Sequence, residues 1–423
     1  MDFKTDAMLN QGTPQPKSNP LDSLLEVNHL TYETPKNLSV CVQRTVKSYK
    51  AQKSTYTDTN NSVIFTLQTG QQYVNWRNSS LKFGATVVTS DAKNSSFARG
   101  SACNFFKEII VTSRSGVELA RCNKFNVWRL ITDHQQESSE WFDSVGAMMG
   151  YSSTYDIDDD TKYAVPQTQV TYIIPMSKLL KFFDVPRLCP QFLASGLRIE
   201  LILEDKRNVV RTKAAATVTS YTISEPTMLI DGCILQETVI QKLNEISAQN
   251  GLEYVYENVY PESVSITTDT SDIDLSKAVS RALGTTTVTR LDAEILTDTK
   301  DSLTPEKDFK VTESQCRLGA NYFPQSKITS EEEHYFMMLY KAGKLGDKSC
   351  NISLADFKDG ALGAVNTTME RSNLLDYSGL PINNGQSLTQ SLVFEDTLAR
   401  TVDVFLTYVS VCKIFINNVT LTE

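Results

Sequence analysis

Apolar and polar residues alternate along much of the chain after residue 37, which is the pattern of half-buried β-strands. In the segment 80–88, for example, Leu81, Phe83, Ala85 and Val87 fall on one face. Further strands are predicted in the segments 37–46, 62–68, 106–112, 117–120, 170–175, 197–203, 263–267, 286–291, 391–395 and 401–417. The pattern therefore predicts an antiparallel all-β protein.

Turn residues separate these strands. Residues 113–116, Ser-Arg-Ser-Gly, lie between two of them and predict a hairpin turn. No strand alternates with a twelve-residue amphipathic helix, so a parallel sheet built from βαβ units is not expected.

Two short helices are predicted among the strands. Residues 238–246 carry apolar side chains at helical spacing, and Gly251 follows as a suitable stop. Ser330 and Glu333 form a capping-box pattern, in which Glu333 can reach the Ser330 amide, at the start of a helix that ends before Gly343. Both helices are too short to build the fold, so we expect them to cap the ends of sheets.

The strand pattern divides the chain into three parts. Residues 1–36 form a polar, acidic arm that contains four prolines and has no strand period. Residues 37–262 are predicted to form a first β-rich domain that ends with a connector helix, the one predicted at residues 238–246. Residues 263–423 are predicted to form a second β-rich domain. Each is long enough for an eight-stranded sandwich. The residues themselves show no repeat, so the duplication is inferred from the pattern of strands.

The composition is that of a folded chain with an acidic balance. The 423 residues include 41 Lys and Arg against 50 Asp and Glu, which gives a net charge of −9, and 40% are hydrophobic. This composition excludes wholesale disorder. The acidic balance argues against a surface that coats nucleic acid, because such surfaces are rich in Lys and Arg.

The cysteines and the apolar runs favour a chain made in a reducing compartment. The nearest two cysteines are nineteen residues apart, so no zinc-ribbon spacing occurs, and we expect free thiols. The N-terminus lacks the order of a secretory signal, and the apolar run 404–415 is too short for a membrane helix. The eight cysteines are Cys41, Cys103, Cys122, Cys189, Cys233, Cys316, Cys350 and Cys412.

Catalytic signatures are missing from the sequence. It has no glycine-rich phosphate loop, no HExxH zinc helix and no GxSxG nucleophile elbow. The three histidines, His29, His134 and His334, are scattered along the chain. Surface or packing roles are therefore favoured over a general base.

One acidic cluster has the beginning of a calcium-binding pattern. Asp156, Asp158 and Asp160 lie on alternate residues, as the first ligands of a calcium loop do. Thr161 stands where such a loop needs glycine, and Gln167 where it needs a bidentate glutamate. A solvated loop tip is therefore favoured, and the sequence assigns no catalytic, cofactor-binding or metal-binding residue.

Aromatic and basic residues lie together at Trp76-Arg77 and in the segment 124–129, a pairing that could stack on bases. The neighbours of Trp128 are apolar, however, and the chain is acidic. Packing in the core or at a subunit interface is the favoured interpretation of these residues.

The order of the segments resembles that of a known family. The succession of Tyr73–Phe83 and Phe105–Leu119 resembles the first jelly roll of a double jelly-roll major capsid protein. The second half is similar in kind, with Tyr322-Phe-Pro, the turn Gly379–Gly385 and the final β run. The resemblance covers most of residues 37–423. It is to the smaller capsid proteins of tailless icosahedral DNA viruses, of the polinton-like, adintovirus and virophage types.

The resemblance implies a fold, a function and a set of partners. The fold would be two tandem eight-stranded antiparallel jelly-roll sandwiches with short capping helices, without catalytic residues or a cofactor. Three chains would form a pseudo-hexameric capsomer that tiles an icosahedral shell. The implied partners are further copies of the chain, neighbouring capsomers, and penton or minor capsid proteins, without direct sequence-specific binding of nucleic acid. The protein would be made in the host-cell cytoplasm and located in the virion. Whether a membrane lies inside the shell is left open.

Other functions remain alternatives at this point. A variant within the same class is a shell protein of an RNA virus, against which the missing basic arm weighs. A tandem β-sandwich binding module, lectin-like or a virion-surface receptor-binding protein, is disfavoured by the missing secretory signal and disulfide framework. An all-β hydrolase has only the cluster of Asp156 and Asp158 in its support.

Overall fold

The fold is taken from a computed structural model. It describes residues 40–58, 62–92, 95–151, 168–212, 216–297, 299–346, 350–359, 362–369, 379–383, 385–415 and 418–423. The predicted arm of residues 1–36 with His29, and the acidic loop with Asp156, Asp158, Asp160, Thr161 and Gln167, lie outside the described residues.

The first half of the chain forms two antiparallel sheets. Its described strands are β1 (Cys41–Lys50), β2 (Thr55–Thr57), β3 (Ser62–Thr66), β4 (Tyr73–Thr89), β5 (Ser95–Phe97), β6 (Phe106–Thr112), β7 (Glu118–Asn123), β8 (Val170–Pro175), β9 (Arg198–Leu203), β10 (Val210–Thr212) and β11 (Val218–Leu235). One sheet has the order β1-β11-β4-β8, with β2 beside β11, and the other has the order β3-β9-β6-β7. Strands β5 and β10 form a separate ribbon.

The second half repeats this arrangement. Its described strands are β12 (Leu252–Ile266), β13 (Thr270–Leu275), β14 (Val279–Leu291), β15 (Val311–Leu318), β16 (Asn321–Ile328), β17 (Val365–Thr368), β18 (Leu380–Ile382), β19 (Leu388–Phe394), β20 (Arg400–Ile414) and β21 (Val419–Thr422). One sheet has the order β12-β20-β14-β17, with β18 beside β14 and β21 beside β20, and the other has the order β13-β19-β15-β16.

The two halves have identical strand connections. When the eight principal strands of each half are counted from first to last, both halves have sheets of order 1-8-3-6 and 2-7-4-5. The principal strands are β1, β3, β4, β6, β7, β8, β9 and β11 in the first half, and β12, β13, β14, β15, β16, β17, β19 and β20 in the second. The predicted fold of two eight-stranded antiparallel sandwiches is confirmed.

Helices occupy the connections between strands. The longer ones are α1 (Phe125–Gln136), α2 (Glu237–Gln249), α3 (Glu331–Ala342) and α4 (Leu354–Asp359). Shorter helical turns lie at Ala102–Phe105, Ser139–Trp141, Phe142–Gly146, Ala147–Met149, Met176–Lys178, Lys181–Phe183, Gln191–Ala194 and Lys206–Val209.

The predicted helices α2 and α3 are present, and α3 shows why its sequence begins and ends a helix. The Ser330 hydroxyl accepts a hydrogen bond from the Glu333 amide at 3.2 Å. The Glu333 carboxylate accepts from the Thr329 amide at 2.8 Å, one residue earlier than the Ser330 amide that the capping-box pattern predicts. Gly343 ends the helix with a φ of +68°, a conformation that glycine adopts without steric cost.

Helix α1 is missing from the sequence-based predictions, which expected only apolar packing there and no helix of twelve residues among the strands. Eleven of its twelve residues are buried, including the charged Arg129 and Asp133. Polar residues do recur at helical spacing in this segment, at Asn126, Arg129 and Asp133, but the fold buries them together with the apolar residues. The period of a helix is therefore present in the sequence, and the prediction of packing alone missed it.

The division between the two halves also differs from the predicted position. The predicted boundary after residue 262 falls inside β12, and every residue of β12 pairs with β20 of the second half. Sheet membership changes instead between Leu235, the end of β11, and Leu252, the start of β12. Helix α2 lies in this connection.

Candidate assembly surfaces

The interface between the two sandwiches, which we call the seam, contains a cluster of buried aromatic rings. The Phe182 ring of the first half lies 5.3 Å from the Tyr254 ring and 5.0 Å from the Tyr256 ring of β12. The Tyr254 hydroxyl donates to the Phe182 carbonyl at 2.9 Å, and the Tyr256 hydroxyl donates to the Leu119 carbonyl. Burial raises the pKa of both tyrosines well above the ordinary value, so the hydroxyls stay protonated as donors.

Polar contacts fix the seam at a second point, around the loop after β14. The Asp301 carboxylate accepts hydrogen bonds from the Arg99 amide at 3.0 Å and from the Arg211 guanidinium at 3.1 Å. The Ser302 hydroxyl donates to the Asn208 side chain at 2.6 Å. Asp301 and Ser302 are buried, so these contacts are shielded from solvent.

A third contact involves His134 of α1. The Asn351 amide of the second half donates to the His134 carbonyl at 3.2 Å, and the Asn351 side-chain nitrogen lies 3.2 Å from His134 Nδ1. The His134 ring stacks on Phe142 with centroids 4.7 Å apart. Burial lowers the pKa of His134 to about 3, so the ring is neutral near neutral pH and Nδ1 accepts the amide. His134 is therefore placed in packing between the domains.

His334 is buried within the second half. Its Nδ1 lies 2.8 Å from the Ser330 carbonyl, and its Nε2 lies 2.9 Å from the Ser314 hydroxyl. Burial lowers the pKa of His334, which keeps the ring neutral. With Nδ1 donating and Nε2 accepting, both ring nitrogens are used in structural hydrogen bonds.

The seam makes one block of the two sandwiches. The seam contacts involve residues from several different loops and strands. The buried apolar side chains of the seam belong to one cluster that includes the cores of both sandwiches. Among the described strands, none pairs across the seam. Side-chain packing, and not a shared sheet, therefore sets the angle between the sandwiches.

One apolar surface is left exposed on the first half, at strand β1. This strand pairs with β11 at the edge of its sheet. Val42 and Val46 on it are each 66% exposed. A sheet edge that also presents apolar side chains is a template for association with another chain.

A second exposed apolar surface lies on the second half. Phe336 on α3 is 52% exposed and stacks on Tyr340 with ring centroids 6.4 Å apart. Tyr322, on the edge strand β16, is 45% exposed. Each half therefore presents an apolar surface of its own, and the two surfaces differ in structure.

The aromatic-basic pairs of the sequence are used in packing. Trp76 is fully buried and Trp128 is 6% exposed, so neither ring is available to stack on a base. Arg77 contacts the Asp184 carboxylate at 3.1 Å. The guanidinium of Arg129 is buried against Asp133, a carboxylate that also accepts hydrogen bonds from Tyr151 and Lys178.

The described residues offer no grouped ligands for a metal ion: no three His, Cys, Asp or Glu side chains among them come together. Six of the eight cysteines are buried thiols, and burial raises the pKa of Cys103 to about 12. No helix in the described part of the chain is long and apolar enough to cross a membrane.

Solved structures of viral capsid proteins superpose on this arrangement. The PBCV-1 virus capsid gives a TM-score of 0.63 at 10% identity and covers 93% of this chain and 99% of that chain. The Faustovirus major capsid protein gives a TM-score of 0.63 at 8% identity, covering 98% of this chain and 96% of that chain. The mavirus major capsid protein gives a TM-score of 0.55 at 10% identity, covering 100% of this chain and 95% of that chain. The chain has the double jelly-roll fold.

The double jelly roll is recognised here from structure, since no family model and no curated protein matches the sequence. At identities of 8 to 10%, the likeness establishes the fold. An argument about function must therefore rest on the residues of this double jelly roll, above all on its seam and its exposed surfaces.

Proposed function

We propose that this chain is a structural major capsid protein whose trimers form pseudo-hexameric capsomers of an icosahedral virus shell. The observation that carries the proposal is the pair of identically connected sandwiches held by a buried seam. Three such blocks supply six similar sandwiches, so a threefold oligomer can fill a sixfold position in a lattice.

The rigidity of the seam supports this role. In a ring of three chains, first and second sandwiches alternate around the threefold axis. A fixed angle between the two sandwiches of one chain therefore determines the angle between neighbouring chains. The rings of Phe182, Tyr254 and Tyr256 and the contacts of Asp301 hold that angle without a flexible linker.

The exposed surfaces support association with further copies. A cyclic trimer uses a heterologous interface, in which two different surfaces of the chain meet. The β1 surface with Val42 and Val46, and the α3 surface with Phe336 and Tyr340, are two such surfaces. We assign the β1 surface to the contact between chains of the trimer.

The first experiment measures the mass of the purified chain by size-exclusion chromatography with light scattering. The proposal expects a trimer of about 142 kDa, three times 47.3 kDa. Negative-stain images of the same sample should show three-lobed blocks or closed shells. A monomer under native conditions at micromolar concentration would contradict the proposal.

A pair of variants tests the assigned surface. The double variant Val42→Asp/Val46→Asp should dissociate the trimer, because it buries two charges in an apolar contact. The matched variant Val42→Thr/Val46→Thr keeps the β-branched shape and should remain trimeric. Both should fold, since these side chains are exposed in the single chain. If the aspartate variant remains a trimer, another surface mediates the contact.

The remaining partners and the location follow from the same proposal. The capsomers would meet neighbouring capsomers and, at the vertices, penton or minor capsid proteins, and the chain would reside in the virion. No catalytic role is proposed. The net charge of −9 is consistent with a shell wall that makes no direct contact with the genome. Crosslinking mass spectrometry of purified particles would identify the partners.

A further inference from the structure

A cavity of about 340 Å³ lies in the seam between the two jelly rolls. Helix α1 of the first jelly roll forms one wall, where Trp128, Thr132 and Gln135 lie on one face of the helix. Strands β12, β14, β17 and β20 and the end of α3 form the other wall, which includes Glu257 and Lys341. The volume is within the range of sites that hold small ligands.

Two polar groups that line the cavity lack hydrogen-bond partners. Gln135 is 6% exposed, and its side-chain Nε2 has no partner among the described residues. The Thr368 hydroxyl, on the opposite wall, is a buried oxygen that likewise has no partner there. Buried polar groups in native proteins are almost always satisfied. Since an amide N–H can only donate, the missing partner of Gln135 is an acceptor.

Lys341 supplies a charge to the same cavity. Its Nζ donates to the Thr286 hydroxyl at 2.6 Å, and that hydroxyl donates in turn to the Asn366 side chain at 3.1 Å. An ammonium has three N–H donors, so two remain for a ligand or water. Burial lowers the pKa of Lys341 to about 7, against the opposing influence of Glu257. The protein therefore leaves this cation incompletely compensated.

The other charged side chains that line the cavity are Lys181 and Glu257. The Lys181 ammonium contacts the Asp184 carboxylate at 3.2 Å, so a carboxylate outside the lining already compensates its charge. Lys341 is therefore the lining cation that an anion would contact, and Glu257 is the one carboxylate in the lining. A second seam cavity, of about 330 Å³, differs in this respect: its Lys277 contacts the Glu423 carboxylate directly and lies over the Tyr260 and Tyr408 rings.

We propose that the Lys341 cavity binds a small oxyanion, a tetrahedral sulfate- or phosphate-type group or a carboxylate. The oxygens of the anion accept hydrogen bonds from Lys341, from Gln135 Nε2 and from the Thr368 hydroxyl. The anion contacts α1 of the first jelly roll and α3 and β17 of the second, so it strengthens the seam from within. This role is additional to the proposed capsid function and does not depend on it.

The test is isothermal titration of the full-length protein with sodium sulfate at millimolar concentration, against sodium chloride at matched ionic strength. Wild-type protein should give a saturable heat with one site per chain. Lys341→Met should weaken binding about tenfold or more, because it removes a charge-assisted hydrogen bond. Lys327→Met is the matched control, since Lys327 is exposed on β16 outside the cavity, and it should bind as the wild type does.

Sulfate also stabilises folded proteins non-specifically, so saturation and the difference between the two variants decide the outcome. No saturable heat with wild-type protein, or equal binding by Lys341→Met, would overturn the proposal. Parallel titrations with phosphate and acetate distinguish a tetrahedral anion from a carboxylate.

A second measurement needs no variant, in case Lys341→Met fails to fold. Wild-type protein is acylated with an N-hydroxysuccinimide ester, with and without sulfate, and modification is followed at each lysine by peptide mass spectrometry. Bound anion should slow acylation of Lys341 at least about threefold relative to Lys327, because it stabilises the protonated ammonium, which is not nucleophilic. Equal rates with and without sulfate would count against the site.

Discussion

The two jelly rolls share every principal strand connection but fill their interiors differently. The first is packed with rings: Phe105 lies 5.1 Å from Tyr221, 5.9 Å from Phe83 and 5.9 Å from Phe97. Its buried ion pair, Arg129 with Asp133, lies within helix α1, whereas the second jelly roll has buried ion pairs on its sheet strands β14 and β20. There the Arg290 guanidinium donates to the Asp403 carboxylate at 2.7 and 2.9 Å. Arg400 and Glu306 form a similar buried pair.

This difference shows that the strand pattern, and not a particular core, specifies the jelly roll. Aromatic packing tolerates many arrangements of similar volume, whereas a buried ion pair requires one geometry and penalises the loss of either partner. The two interiors should therefore respond differently to substitution. The chain offers a convenient probe, because its three tryptophans, Trp76, Trp128 and Trp141, all lie in the first jelly roll.

The largest effect is expected from Asp403→Ala in the second jelly roll. The substitution leaves the Arg290 guanidinium buried without its carboxylate, and we expect the free energy of unfolding to fall by about 4 kcal/mol. Far-UV circular dichroism, which reports on both jelly rolls, should change at lower denaturant concentration than tryptophan fluorescence. Coincident transitions would show that the two interiors unfold as one unit.

The double variant Arg290→Met/Asp403→Leu is the control for this prediction. It removes both charges and replaces them with apolar volume, so it should recover more than half of the lost stability. A double variant no more stable than Asp403→Ala would mean that the pair supplies stability and not only specificity.

The second largest effect is expected from Phe105→Ala in the first jelly roll. It should lower the free energy of unfolding by about 3 kcal/mol through loss of apolar contact and creation of a cavity. Tryptophan fluorescence should now change first, the reverse of the order expected for Asp403→Ala. Phe105→Leu keeps most of the volume and should cost about 1 kcal/mol. If the order of transitions does not reverse, the comparison between the interiors fails.

A smaller effect distinguishes the seam from both interiors. The folded-state pKa of Lys341 is lowered to about 7, below the ordinary value near 10.4 in the unfolded chain. Between these values the unfolded chain binds more protons, so stability should rise with pH. In chloride buffers from pH 7 to 9, wild-type protein should gain about 1 kcal/mol per pH unit relative to Lys341→Met.

The charged and titratable neighbours of Lys341 should not obscure this slope. Burial raises the pKa of Cys316 to about 12, so this thiol stays protonated across the window. Cys316 and the charged lining residues Glu257 and Lys181 are present in both proteins. Parallel stability curves for wild type and Lys341→Met would show that the ammonium is as well solvated in the fold as in the unfolded chain.

The smallest effect is expected from Tyr256→Phe in the seam. The variant keeps the ring against Phe182 and removes the hydroxyl that donates to the Leu119 carbonyl. Because Asn258 also donates to this carbonyl, the loss should be only about 1 kcal/mol. Tyr256→Phe should separate the unfolding transition followed by fluorescence from the one followed by circular dichroism. Tyr49→Phe, which removes a hydroxyl bonded within the first jelly roll, should leave the two unfolding transitions coincident.

Much of the fold could be predicted because its signals are local. The alternation at Leu81, Phe83 and Ala85 marks β4, and the turn with Gly116, whose φ is +85°, marks the hairpin of β6 and β7. The Ser330 cap and Gly343 mark both ends of α3. Each signal depends on residues within one element, where the side-chain period or the cap chemistry is decisive.

The features that the sequence did not reveal depend on contacts between distant residues. Helix α1 lies between the first jelly roll and α3 of the second, so its burial depends on residues far apart in the sequence. The seam joins Phe182 to Tyr254 and Asn208 to Ser302, pairs that no local rule relates. The Lys341 cavity likewise needs α1 and α3 together. His134 was recognisable as a packing residue only in the general sense that catalytic motifs were missing.

The strand order has a consequence for how the protein is made. In each jelly roll the last principal strand pairs beside the first: β11 joins β1, and β20 lies between β12 and β14. In each jelly roll, the sheet that contains the first strand cannot form completely until the last strand has been translated. The first jelly roll therefore requires residues 218–235 and the second requires residues 400–414. The first half can thus fold on the ribosome while the second is still an open chain. The emerging polypeptide has no completed seam to present to another copy until β20 has been synthesised.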